Sequence, residues 1–130
     1  MSNLSDFAEK LVLDFLMTTG AAVRPTSWFL ALYTVAPSDA GGGTEVSGAG
    51  YVRKAVTFGA AATPGGTTSN TGVVSYTAAG GAYGVVTHCA IFSAVSGGNM
   101  LWHGAMVAPR TINDSDTLSF AIGQVALTLG

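Results

Sequence analysis

The stretch VVTHCAIFSAVSGGNMLWHGAMV, residues 85–107, decides the fold. Its two halves are mostly apolar, and SGGN separates them at residues 96–99. Apolar runs joined by a short segment of this kind are typical of a β-hairpin. We therefore predict a strand over residues 85–94, a turn over 96–99 and a return strand over 100–107.

Five further segments have the composition of strands. Residues 28–35 (WFLALYTV) are nearly all apolar, which predicts a strand buried on both faces. Between the strands lie loops rich in small residues, of which 36–50 and 59–70 are the longest, and a polar connection over 108–116. About seven strands without regularly alternating helices predict a mainly β protein, either an antiparallel β-sandwich or a jelly-roll-like barrel. The remaining predicted strands cover residues 51–58, 73–77, 118–122 and 125–129.

The N-terminal segment has helical periodicity. Its apolar residues recur at three- and four-residue spacing, which predicts an amphipathic helix over about residues 4–19. Ser5 or Asn3 suits the start, and Gly20 suits the end. A single helix of this length is not stable alone, so its apolar face must be covered. We predict one domain over residues 1–130, with the β-sandwich over about 27–130. The apolar positions of the helix are Leu4, Phe7, Ala8, Leu11, Val12, Phe15 and Leu16.

The composition indicates a protein that works inside an assembly. Of 130 residues, 48% are hydrophobic and only 9% are charged, against roughly 25% charged in a typical soluble domain. A surface of small uncharged residues does little to oppose association. The net charge of −2 and the absence of a basic stripe make nucleic-acid binding improbable. The apolar runs are too short for membrane insertion, and the start lacks a secretory pattern, so we expect synthesis in a cytoplasm.

No set of residues predicts catalysis. His88 and His103 could meet across the hairpin, and with Cys89 they would begin a zinc site or a thiol–imidazole pair. Packing within apolar strands is the stronger interpretation, since matching carboxylates and an orienting residue are absent. Asp39 and Glu45 flank a Gly-rich loop, but their spacing does not support an acid–base pair. We predict no enzyme activity, no metal and no cofactor.

The order of segments resembles a known family. LALYTVAPSDAG (30–41), EVSGAGYVRKAVTF (45–58) and VTHCAIFSAVSGGNMLWHG (86–104) are its most specific parts, within a likeness that covers residues 4–129. The chain resembles small virion proteins from tailed-bacteriophage structural gene clusters, often labelled tail-fibre or virion proteins. The resemblance implies a β-rich virion component that is assembled in the bacterial cytoplasm and acts through symmetric contacts. It implies no catalytic residues.

The function expected from this resemblance is a structural component of the phage tail, as a fibre, tip or baseplate protein. A capsid cement protein, which stabilises the head, is the alternative, and a carbohydrate-binding module is a further one. The expected partners are other copies of the chain, with a trimer favoured, and other virion proteins. A host surface glycan is a further possible partner.

Contact residues can be suggested only by position. The helix face with Phe7, Leu11 and Phe15 either docks on the sandwich or forms the contact between subunits. Loops 36–50 and 59–70 are candidates for contact with neighbouring proteins. Tyr83 is the aromatic residue best placed for exposure, although it could equally be a core residue that closes a loop. The candidate contact residues are Phe7, Leu11, Phe15, Glu45, Tyr51 and Tyr83.

Overall fold

A computed structural model describes residues 3–63 and 65–129 of the chain. It is mainly β, with antiparallel sheets and one helix, as predicted. In chain order the elements are β1 (Asn3–Leu4), α1 (Asp6–Met17), β2 (Phe29–Val35), β3 (Thr44–Glu45), β4 (Lys54–Ala55), β5 (Thr67–Ser69), β6 (Val74–Thr77), β7 (Gly84–Phe92), β8 (Met100–Ile112), β9 (Thr117–Phe120) and β10 (Ala126–Thr128).

The strands form one large sheet and two small ones. The large sheet has the order β1-β8-β7-β2-β3, and β4 also pairs with β2. The small sheets pair β10 with β5 and β6 with β9. Leu30, Leu32 and Ile91 of the large sheet share one buried core with Tyr76 and Leu118 of the small β6–β9 sheet. This packing of sheet against sheet is sandwich-like.

The hairpin predicted at residues 85–107 is present as β7 and β8. Its return strand is longer than predicted and runs to Ile112. His88 pairs with Ala105 and Val86 with Arg110, so one residue of β7 faces four of β8. This irregular bulge contains Pro109, which has no N–H to donate to a ladder. The prediction that a polar connection begins at residue 108 is therefore wrong.

The strand predicted over residues 51–58 is reduced to the two residues of β4. Tyr51 and Arg53, at the start of the predicted strand, lie outside the backbone ladder. Their side chains form the hydrogen bonds described below. Loop 36–50 contains β3, and loop 59–70 contains β5. The described residues thus form ten strands where about seven were predicted, because ladders of two or three residues leave no hydrophobic pattern to detect.

The helix begins and ends inside its predicted limits. Ser5 is its N-cap, and its side chain accepts a hydrogen bond from Ala8 N. Gly20 does not end the helix: the chain leaves it at Thr18, in an extended conformation with φ −131° and ψ 168°. The Thr18 hydroxyl donates to Asp14 O and so satisfies a terminal carbonyl that a left-handed glycine would otherwise serve. Within the described residues, no helix is long and apolar enough to cross a membrane.

The outer face of the small β6–β9 sheet carries paired hydroxyl groups. Ser75 and Ser119 are hydrogen-bonded at 2.7 Å, and Thr77 and Thr117 at 2.9 Å. Alternate residues of the same strands, such as Tyr76 and Leu118, point into the core. The small polar residues of this region therefore form an uncharged surface over a fully apolar layer.

Candidate contact helix and neighbouring groove

The first turn of α1 is firmly attached to the sandwich. Ser5 N donates to Leu101 O at 3.0 Å, and the Ser5 hydroxyl donates to Met100 O. Asp6 N donates to Asp39 O at 3.0 Å, which ties the helix start to the loop after β2. Ala8 is the helix residue that is buried. The attachment therefore lies at one end of the helix.

The last two turns of α1 expose large apolar side chains. Phe15 is 72% exposed and Met17 is 75% exposed, and Leu13 and Leu16 are also exposed. Leu11 is half-buried. The predicted apolar face is thus only partly covered by the sandwich. Leu16 and Met17 follow Leu13 at three- and four-residue spacing, so these three side chains share one side of the helix, whereas Phe15 belongs to the predicted apolar face. Exposed apolar side chains grouped in this way are typical of contact surfaces.

Glu45 takes part in an ion pair inside the chain. The Arg53 guanidinium contacts both of its carboxylate oxygens, with Nε–Oε2 and Nη2–Oε1 distances of 2.9 Å. Arg53 Nη1 also donates to Ala94 O at 3.0 Å and to Gly97 O at 2.8 Å, in the β7–β8 turn. Its guanidinium carbon lies 3.6 Å from the ring centre of Phe92. The hydrogen bonds with Glu45 raise the pKa of Arg53, so this residue is a permanent cation that joins three segments.

Tyr51 and Tyr83 belong to an aromatic cluster in the core. The Tyr51 hydroxyl donates to Glu45 Oε2 at 2.7 Å and accepts from Leu32 N at 3.0 Å, while burial raises its pKa. Its ring stacks on Tyr76 and meets the edge of Tyr83. Tyr83 is buried, and its hydroxyl donates to Thr77 O at 3.1 Å. The sequence leaves exposure and a core position both open for Tyr83, and the structure shows the core position.

A groove of about 530 Å³ lies beside the first turn of α1. It is bounded by that turn, by the Gly-rich loop after β2 and by the β7–β8 turn. Its wall carries two carboxylates, Asp6 and Asp39, and three aromatic rings, Phe7, Tyr33 and Phe92. Asn99 completes the wall on the side of the hairpin turn.

The two histidines have separate partners. His103 Nε2 lies 2.6 Å from Asp39 Oδ1, and His88 Nδ1 lies 2.8 Å from Thr87 Oγ1. They occupy diagonal positions on neighbouring strands, since His103 pairs with Ala90 and His88 with Ala105. Cys89 is buried, and burial raises the pKa of its thiol to about 12. Among the described residues, no three His, Cys, Asp or Glu side chains are grouped to hold a metal.

Sequence reasoning missed three residues of this region: Arg53, Tyr33 and Asn99. Arg53 stands beside Lys54 without further basic residues nearby, and Tyr33 lies within a strand whose apolar run suggests core packing. The side-chain partners of Arg53 are between 8 and 44 positions away in the chain. No local spacing signals such contacts.

A family model matches nearly the whole chain. Residues 3–128 match the family model described as podophage GP4 fiber I protein gp80. A search of curated proteins finds no match. The family match covers nearly the whole chain, from β1 to β10, and confirms the resemblance to tailed-phage fibre and virion proteins. The chain therefore belongs to the family of the podophage GP4 fiber I protein gp80.

Proposed function

We propose that the protein is a non-enzymatic structural subunit of a podophage tail fibre, and that copies of it associate through the exposed apolar half of α1. One observation carries the proposal: Leu13, Phe15, Leu16 and Met17 are exposed in the last two turns of a helix whose hydrogen bonds to the sandwich lie at its start. The family supports the fibre assignment.

The energetics favour coverage of this surface. Burial of one large apolar side chain stabilises by roughly 1.5–3 kcal/mol. Leu13, Leu16 and Met17 share one side of the helix, Phe15 adds a further exposed ring, and a second copy offers the same apolar groups. In a symmetric contact, the same charged residue from two copies can lie close together. An unpaired charge in the contact would therefore oppose association. Asp14, the acidic residue beside Phe15, is already paired with Lys10 of the same helix.

The chemistry of the remaining polar groups supports a non-enzymatic role. The buried Cys89 thiol keeps its proton at neutral pH, and a thiol in that state is a poor nucleophile. His103 is held by Asp39, and among the described residues no hydrogen bond joins its ring to a thiol or hydroxyl group. The Arg53 guanidinium already donates hydrogen bonds to Glu45 and to two backbone carbonyls of the same chain.

The location in the particle is tested by gold-labelled antibody on the parent virion. We expect label on the tail, where a fibre protein contacts other virion proteins. Label over the whole head would replace this proposal with the capsid cement alternative. Absence from denatured particles probed by blot would contradict a virion role altogether.

The helix contact is tested by the mass of the protein in solution. We expect the wild type to form a homo-oligomer, with a trimer favoured, when measured by light scattering coupled to size exclusion. The double variant Phe15→Ser, Leu16→Ser should be a folded monomer whose melting temperature does not depend on protein concentration, because both side chains are exposed within one chain and the stabilisation from association is lost.

A matched control separates the helix from general surface hydrophobicity. The variant Val73→Ser, Val95→Ser also removes two exposed apolar side chains, but away from α1. It should retain the oligomer mass. A monomeric wild type, or an oligomer that survives the helix substitutions, would contradict the proposed contact.

A further inference from the structure

Tyr33 is an unusual residue in the groove beside α1. It is only 5% exposed, yet its hydroxyl has no hydrogen-bond partner among the described residues. The hydroxyls of Tyr51, Tyr76 and Tyr83 each have one. No fully enclosed side-chain oxygen or nitrogen in the described chain lacks a partner, so the Tyr33 hydroxyl is partly accessible, and Tyr33 is one of the residues that line the groove. Within the described chain, this hydroxyl group therefore neither donates nor accepts a hydrogen bond.

The charges around this hydroxyl favour an uncharged ligand over an anion. Asp6 and Asp39 contribute carboxylates to the wall. Arg53 also lines the groove, but its guanidinium nitrogens already donate hydrogen bonds to Glu45 and to the carbonyls of the β7–β8 turn. The described wall therefore offers no free cation to neutralise a sulfate, phosphate or carboxylate.

The bonding groups also distinguish a polyol from an amine. The carboxylates accept hydrogen bonds, whereas the Tyr33 hydroxyl and the Asn99 amide can both donate and accept. An ammonium group only donates, so it would use the acceptors of this wall but none of its donors. Sugar hydroxyls donate and accept, and adjacent hydroxyls on a ring present both capacities at short spacing. A ligand rich in hydroxyl groups therefore matches this set of groups best.

The apolar part of the groove fits the same ligand. Phe7 stands at its rim and is 41% exposed, so one face of its ring can pack against carbon. A pyranose ring has an apolar C–H face and hydroxyls at its edge. The volume of about 530 Å³ lies within the range of small-molecule sites and accommodates a short saccharide.

We propose that this groove binds a neutral saccharide, with Phe7 under the sugar ring and with Tyr33, Asp6, Asp39 and Asn99 bonded to its hydroxyls. The site lies within one chain. It therefore does not depend on the helix contact proposed above, and the monomeric variant Phe15→Ser, Leu16→Ser should retain it.

The test uses the full-length protein on a glycan array. The array carries neutral hexose and N-acetylhexosamine oligosaccharides beside sialylated, sulfated and phosphorylated ones. Binding confined to neutral glycans is expected. The best of these is then titrated into labelled protein by NMR, where shifts at Phe7, Tyr33 and Asn99 would place it in the groove.

The variant Tyr33→Phe removes only the unused hydroxyl. It should leave the melting temperature unchanged and weaken binding about five- to tenfold, the effect of one lost hydrogen bond. The matched control Tyr83→Phe removes a hydroxyl that bonds Thr77 O in the core. It should lower the melting temperature and leave saccharide affinity unchanged.

Several results would overturn the proposal. These are no binding to any neutral glycan, preference for the anionic glycans, and affinity that is equal in wild type and Tyr33→Phe. Occupation of the groove by a Lys- and Arg-containing peptide in place of a saccharide would also overturn it. None of these results would change the oligomer mass, so failure here is distinguishable from failure of the helix contact.

Discussion

Arg53 is a cation whose contacts all lie within the chain. Its side chain is 9% exposed and joins Glu45 of β3 to the carbonyls of the β7–β8 turn. A planar guanidinium can serve a bidentate carboxylate and two carbonyls together, which the single ammonium of lysine cannot reproduce. This one side chain therefore fixes the position of the hairpin turn relative to the edge of the sheet.

Replacement of Arg53 should be strongly destabilising. We expect Arg53→Ala to lower the free energy of unfolding by about 2–4 kcal/mol, because Glu45 and two carbonyls would lose their charged partner. The neighbouring exposed Lys54→Ala should change it by no more than about 0.5 kcal/mol. Urea unfolding of both variants measures the difference. Equal values would show that the Arg53 contacts contribute nothing net.

Buried thiol and phenol groups predict a loss of stability at alkaline pH. Burial raises the pKa of Cys89 to about 12 and also raises those of Tyr33, Tyr51, Tyr76 and Tyr83. Above about pH 9 the unfolded chain loses these protons while the folded chain keeps them, so the free energy of unfolding falls as pH rises. Each group contributes at most about 1.4 kcal/mol per pH unit.

Urea unfolding between about pH 8 and pH 11 measures this fall. Cys89→Ala should make it shallower from about pH 9 to pH 10, where the unfolded thiol ionises before the phenols. A free energy of unfolding that stays constant across the range would contradict the prediction.

At the scale of elements, α1 depends on the few contacts of its first turn. Ser5→Ala removes both the N-cap bond to Ala8 N and the bond to Met100 O. We expect a loss of about 1–2 kcal/mol in the free energy of unfolding and faster amide exchange along the helix. Thr18→Ala, at the exposed end, removes hydroxyl contacts of the same kind and is the control. Similar losses in both would show that the first turn has no special role.

The elements that sequence could predict are those with a long apolar pattern. Helix α1, β2 and the β7–β8 hairpin follow from spacing alone, because helices and buried strands repeat every few residues. The extension of β8 past Pro109 could not be predicted, since it depends on a bulge that the partner strand accommodates. Likewise β3 and β5 exist only because tertiary packing brings short segments to a neighbour.

At the scale of the whole molecule, the candidate site was only partly predictable. The exposed positions Phe7 and Phe15 were chosen from helical spacing, and the structure leaves both on the surface. Glu45 and Tyr51 were chosen from their loop and strand, but each is engaged inside the chain. Tyr33 lines the groove, whose walls come from β2, α1 and the β7–β8 turn. These segments are far apart in the chain, so no local sequence pattern predicts that they meet.

The hydroxyl pairs on the outer face of β6 and β9 have a consequence for how the protein meets its surroundings. At 0.1 M salt, dissolved ions largely screen the interaction between exposed charges that are more than about 10 Å apart. They do not weaken hydrogen bonds between neutral hydroxyl groups in this way. Ser75 with Ser119 and Thr77 with Thr117 form such a neutral surface, on a chain with 9% charged residues. Contacts made through this face would keep their strength when the ionic strength of the medium rises or falls.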